Sequence, residues 1–224
     1  MNPIYVAIDT GDIDRAESLA RAVGDSVGGL KLGMEFFMAQ GPEGVRRMGA
    51  FGLPIFLDLK LHDIPNTVAG AMRSLSRLDL AITNVHAGGG AAMMRAARDA
   101  MRPETKVIAV TVLTSIDESD LESIGVMTDS AAQVARLAEL TKSSGLDGIV
   151  CSGHEVAARH AAWPDGQFIV PGLRPGGKAE GDQKRVMTPR DALDAGATVL
   201  VIGRPITGAV DPAAAAREIL TTLS

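Results

Sequence analysis

Ile55-Phe56-Leu57-Asp58-Leu59-Lys60-Leu61-His62-Asp63-Ile64-Pro65-Asn66-Thr67 starts as an apolar run, ends in charge and turns toward a helix. Strand side chains alternate between two faces, so Phe56, Asp58 and Lys60 share the face opposite Leu57 and Leu59. A carboxylate and an ammonium therefore stand side by side where the chain leaves the core. Asp63 follows on the loop, and Pro65 suits a first helical turn, where its missing N–H costs nothing. The spacing alone also fits a structural ion pair with Asp63 as a helix cap.

The same grammar repeats on both sides of this stretch. Short apolar runs occur at Ile4–Ile8, Gly29–Leu32, Ile55–Lys60, Ala81–His86, Val107–Leu113, Gly148–Cys151, Phe168–Val170 and Thr198–Ile202. Amphipathic stretches lie between them: Asp14–Val23, Ala69–Leu78, Ala91–Met101, Ser130–Ser143, Glu155–Ala162 and Ala213–Leu223. Continuous apolar strands alternating with helices indicate a parallel sheet covered by helices. Eight such units predict an α/β fold, a single (β/α)₈ TIM barrel over residues 1–224. An open doubly wound sheet has the same pattern, because periodicity does not see closure. No linker or repeat of 20–50 residues interrupts the chain.

Composition narrows the classes. The 224 residues, 46% hydrophobic and 22% charged, can bury a sizeable core. A net charge of −5 disfavours nucleic acid and anionic membranes as partners, while leaving room for a local cationic pocket. Cys151 closes an apolar run and reads as a buried structural thiol. With no long apolar stretch and no basic leader before Ile4, a cytoplasmic protein is expected.

Polar groups punctuate the strand ends, where a barrel builds its active site. They are Asp9 after strand 1, Lys31 in strand 2, Asp58 and Lys60 in strand 3, His86 in strand 4, Thr111, Thr114 and Ser115 at strand 5, and Arg204 after strand 8. Each alone is a common cap or turn residue; together they converge only if the sheet closes. No Cys/His metal cluster or serine-nucleophile elbow is present. Gly88-Gly89-Gly90 is neither a P-loop nor a dinucleotide fingerprint, and is expected to start a helix close to ligand or backbone. His86 reads as a structural imidazole, and His154 and His160 as surface groups. Pro171–Met187, rich in Gly and Pro, has the length of a functional lid.

At Asp58-x-Lys60-x-x-Asp63-Ile64-x-x-Thr67 the sequence resembles the orotidine 5′-phosphate decarboxylase family. The resemblance extends through Ala7-Ile8-Asp9, Lys31-Leu32-Gly33, Val110–Ser115, Pro171–Arg174, Gly181–Arg185 and Ile202–Ile206, in order along almost the whole chain. It implies loss of CO₂ from C6 of orotidine 5′-monophosphate, without metal or organic cofactor. Lys60 would stabilise the charge left at C6 and then protonate it, with Asp58 holding the ammonium. Lys31, Asp58, Lys60 and Asp63 would form an array of alternating sign, Asp63 being donated by the other subunit of a homodimer.

The resemblance further implies that Asp9, Lys31 and Thr67 touch the ribose, that Ser115 meets the pyrimidine edge, and that Thr114 belongs to the substrate-binding set. Gln183, the Gly203 backbone and Arg204 would hold the phosphate, with Arg174 nearby. Two other readings share parts of this pattern. One is a Mg²⁺-dependent barrel relative acting on sugar phosphates, such as a hexulose-phosphate synthase; the other is a nucleotide sensor without chemistry. Ile64–Thr67 and Gly181–Arg185 favour the nucleotide decarboxylase over the first, and the intact charge set disfavours the second.

Overall fold

The last strand, Val199–Ile202, pairs with the first, Ile4–Ile8, placing Ile4 opposite Leu200 and Val6 opposite Ile202, and this contact closes the barrel. In the computed structural model, which describes residues 2–176 and 187–223, the strands run in the order β1 (Ile4–Ile8), β2 (Gly29–Gly33), β3 (Ile55–Leu61), β4 (Ile82–His86), β5 (Lys106–Val110), β6 (Gly148–Val150), β7 (Gln167–Val170) and β8 (Val199–Ile202). All adjacent pairs are parallel. The open-sheet alternative is excluded.

Strand alternation divides the core in two. Tyr5, Ala7, Phe56, Ile82, Ile108, Ile169, Val199 and Val201 fill the barrel interior. The other face of each strand, including Leu30, Leu32, Leu57, Val85, Val107, Ile149 and Leu200, packs against the helices. Ala7, Lys31 and Phe56 are neighbours in register, so Lys31 belongs to the interior-facing set.

The helices begin where local chemistry satisfies their free N–H groups. Asp12, Asp129 and Asp211 accept backbone hydrogen bonds at the starts of Ile13–Val23, Ser130–Ser143 and Pro212–Thr221. Pro65 opens Pro65–Leu75, so this helix starts a turn earlier than the amphipathic pattern at Ala69 indicates. The stretch Met34–Gly49 is helical although its pattern is broken by Gly41 and Pro42; Gly41 takes φ +60° and absorbs the kink. Strand β5 stops at Val110, short of the expected Leu113; Thr111 gives both its N–H and its hydroxyl to the Val150 carbonyl, the last tie to β6. Among the described residues no helix is long and apolar enough to cross a membrane.

Leu57 is fully buried between β3 and the helical layer. Leu57→Ala is expected to lower unfolding free energy in urea by about 2–5 kcal/mol, the range for a buried leucine truncation. Val210→Ala at a fully exposed position is expected to stay within about 0.5 kcal/mol of the unsubstituted protein.

Candidate active site

An open cleft of about 690 Å³ sits at the C-terminal ends of the strands. Asp9, Lys31, Asp58, Lys60, Thr114, Ser115, Arg174, Gly203 and Arg204 all line it. Its floor is the upper layer of the barrel interior, with Ala7, Phe56, Ile169 and Val201. Cys151 is buried in its wall.

The charges form a connected row. Lys31 Nζ donates to Asp9 Oδ1 at 2.9 Å and lies 3.6 Å from Asp58 Oδ2. Asp58 Oδ1 accepts from Lys60 Nζ at 2.7 Å and from Asn84 Nδ2 at 2.7 Å. Lys31 and Asp58 are only 8% and 7% exposed. Buried charges at such depth persist only when paired and hydrogen-bonded, and this row supplies both conditions. Burial pushes the Asp58 carboxyl up, but Lys60 and Lys31, with hydrogen bonds from Lys60 and Asn84, outweigh it and hold the group below its usual range.

Local backbone geometry aims Lys60. It is the one non-glycine residue with positive φ (+52°) among those described. The β3–β4 register shifts there: β3 advances from Leu57 to Leu61 while β4 advances only from Thr83 to Val85. Simple alternation, which places Lys60 on the Asp58 face, reaches the right outcome by the wrong route. The strand bulges at Lys60, and the ammonium returns to Asp58 from a left-handed backbone. Gly33 serves the neighbouring pair by being small: a Cβ there would lie 3.2 Å from Lys31 Nζ and 3.3 Å from Asp9 Oδ1.

A family model described as orotidine 5′-phosphate decarboxylase / HUMPS matches residues 2–219. The chain belongs to this family. A relative from Novosphingobium aromaticivorans, named orotidine 5′-phosphate decarboxylase, is 60% identical over 222 residues, covering 99% of both chains. One of the same name from Erythrobacter litoralis is 57% identical with the same coverage. The crystal structure of orotidine 5′-phosphate decarboxylase from Lactobacillus acidophilus superposes with a TM-score of 0.88 at 35% identity, covering each chain completely.

In this family member the signature residues do not all meet within the single chain. Asp63 and Thr67 are exposed and do not line the cleft; Asp63 Oδ1 instead accepts from the Ile64 N–H at 2.6 Å. The charge row within the chain is thus Asp9–Lys31–Asp58–Lys60, with Asp9 rather than Asp63 completing it. Gln183 lies outside the described residues, as does most of the Pro171–Met187 loop. His86 packs against His62 at 5.5 Å between ring centroids. Burial first, then His62 and Lys60, keep the His86 imidazole's pKa below its usual value against a smaller opposing pull from Asp58. The glycine run has separate local reasons: a Cβ on Gly89 would collide with the Met93 side chain and lie 3.2 Å from His62, and Gly90 takes φ +83° at the start of its helix.

Asn84 was not singled out by the sequence pattern. The available signal was a polar residue at an interior-facing position of the β4 run, two residues after Ile82.

The depressed Asp58 pKa carries a pH signature. A carboxylate held low in the fold stabilises it above the unfolded value of about 3.9, and this contribution fades as pH falls through the lower folded value. Asp58→Ala leaves two ammonium groups without their shared partner. Because Lys60 is a quarter exposed (26% of its side chain), the expected cost at pH 7 is at the lower end for broken buried pairs, about 3 kcal/mol. Urea denaturation should show the gap between the two proteins narrowing below about pH 4.

Proposed function

We propose that the protein converts orotidine 5′-monophosphate to uridine 5′-monophosphate and CO₂, with Lys60 as the proton donor to C6. The observation that carries this reading is an ammonium held at 2.7 Å from Asp58, at the mouth of a cleft whose opposite rim presents arginine. Breaking the C6–carboxylate bond leaves an electron pair on C6 that no carbonyl can absorb by conjugation. A fixed positive charge beside that carbon stabilises the developing pair, which then takes a proton from the Lys60 ammonium. Asp58, hydrogen-bonded to the ammonium at 2.7 Å, holds the lysine in place before the reaction.

The remaining residues sort by distance from this pair. Asp9 and Lys31, joined to Asp58, suit the ribose hydroxyls. Thr114 and Ser115 follow β5 on the pyrimidine side. Gly203 and Arg204 follow β8, where barrels commonly seat phosphate, and Arg offers a planar donor fork to its oxygens. Arg174, after β7, lies on the same side of the cleft. Gln183 belongs to this phosphate group by motif alone.

The protein would act as a cytoplasmic homodimer, with residues 1–224 as one catalytic barrel domain. Asp63 of the partner subunit would extend the row beyond Lys60, and Thr67 of the partner subunit would reach the ribose. Their exposure in the single chain, next to Ile64 at 66% exposed, supports a shared site. Alternating sign is the arrangement that lets four ionised groups share one closed mouth.

Lys60→Ala is expected to reduce turnover at least about 10³-fold, measured by the absorbance change of orotidine 5′-monophosphate, while uridine 5′-monophosphate still binds. Arg204→Ala should instead weaken nucleotide-phosphate binding by about 1.5–3 kcal/mol and lower kcat/KM, because remote binding energy is used at the reacting carbon. Similar mild losses in both would contradict these roles. Activity should survive EDTA; loss with recovery on adding Mg²⁺ would favour a sugar-phosphate enzyme of the same family. Mixing inactive Lys60→Ala and Asp63→Ala proteins should restore part of the activity if the sites are shared.

A further inference from the structure

We infer that Asn84 is a positioning residue for the decarboxylation: its carboxamide locks the Asp58 carboxylate and the Lys60 backbone into one unit. This inference rests on the reading of Lys60 as the proton donor. Asn84 is fully buried, at 0% exposure, and is not among the residues lining the cleft. Its Oδ1 accepts the Lys60 backbone N–H at 2.8 Å, and its Nδ2 donates to Asp58 Oδ1 at 2.7 Å. The Lys60 ammonium closes the ring by donating to the same Asp58 oxygen at 2.7 Å.

The bulge makes this side chain necessary. Between Leu57 and Leu61 the β3–β4 ladder skips, so the strand partner that would take the Lys60 N–H is missing. Asn84, sitting on β4 inside the skipped interval, supplies the acceptor from its side chain. The Lys60 backbone is held at φ +52°, a conformation that disfavours a residue with a Cβ by roughly 1–2 kcal/mol. Such a conformation persists only where its surroundings over-determine it. Without the amide, Lys60 is free to return to extended backbone, and its side chain would swing off Asp58.

The chemistry of the amide is specific. One end must accept from an N–H and the other must donate to a carboxylate; a neutral primary amide of this length does both in a single orientation. A leucine does neither, and a carboxylate at this position would accept from Lys60 but repel Asp58. Asn84 therefore acts through Lys60 and Asp58 without touching substrate. A displacement of the ammonium by about 1 Å is enough for a loss on the order of 10²-fold.

The test compares Asn84→Ala, Asn84→Leu and Asn84→Asp with the unsubstituted protein, reading kcat, uridine 5′-monophosphate affinity and thermal midpoint. Expected for the first two is a fall in kcat of about 10- to 100-fold, with uridine 5′-monophosphate affinity within about threefold, since the phosphate grip on β8 is intact. The N84D carboxyl gives the discriminating arm. Facing Asp58, with Lys60, Lys31 and Asp9 along the same row and His86 and His62 at the strand end, it is ionised with difficulty at low pH. Once protonated it has an O–H to donate and a carbonyl to accept, like the amide. Its kcat relative to the unsubstituted protein should therefore rise as pH falls from 8 to 5.

Three results would overturn the inference: kcat within about twofold in all variants, nucleotide affinity falling in parallel with kcat, or an N84D pH profile parallel to that of the unsubstituted protein. Failure of every variant to fold would overturn it too, assigning Asn84 to the scaffold alone. If the unsubstituted protein itself fails to decarboxylate orotidine 5′-monophosphate, the functional reading fails instead.

Discussion

Asp58 is bound by two ammonium groups and one amide inside a barrel mouth, and the rest of the site follows from that concentration of charge. Neither lysine nor the aspartate is tolerable alone at this depth, since desolvation of a single ion outweighs what a protein interior can return. Together they are close to neutral in pairs, and the row reaches solvent at Asp9, whose side chain is more than half exposed. The arrangement is stable because it is shared. Its outermost ammonium, on Lys60, is the least buried of the inner three charges, which suits the proposed role of meeting substrate.

The barrel supplies what a looser fold does not: parallel strands whose ends are held at fixed spacing by a closed ladder. β1, β2 and β3 each deliver one or two members of the row, and β4 delivers the amide beneath it. Register carries the precision. Ala7, Lys31 and Phe56 lie side by side, so Lys31 enters the cleft one layer below the charges that end β1 and β3. Arg174, Gly203 and Arg204 follow β7 and β8, and because β8 lies beside β1, Gly203 borders Asp9. Under the proposed function, phosphate contacts there would hold the pyrimidine against Lys60 on β3.

Much of this was legible in the sequence. The eight apolar runs mark all eight strands, because a strand buried on both faces leaves an unbroken apolar signature. Asp9, Asp58, Lys60 and Arg204 stand out as polar residues at the ends of such runs, and Lys31 as a charge inside one. What escaped has physical reasons. The Met34–Gly49 helix is interrupted by Gly41 and Pro42, so its periodicity breaks at the kink. Closure depends on a pairing between residues about two hundred positions apart, which no local pattern contains. The Lys60 bulge depends on a register shift against β4, and Asn84 matters only because that shift exists. Asp63 and Thr67 match a motif but turn out of the cleft in one chain, a fact of three-dimensional direction rather than of spacing.

The most direct measurement is a crystal structure with a uridine 5′-monophosphate analogue bound. The account predicts the Lys60 ammonium at roughly 3 Å from the pyrimidine's C6 position, still hydrogen-bonded to Asp58, with the phosphate against Gly203 and Arg204. A ligand seated in the cleft with Lys60 directed away from C6, or with its phosphate on the Lys31 side, would contradict it.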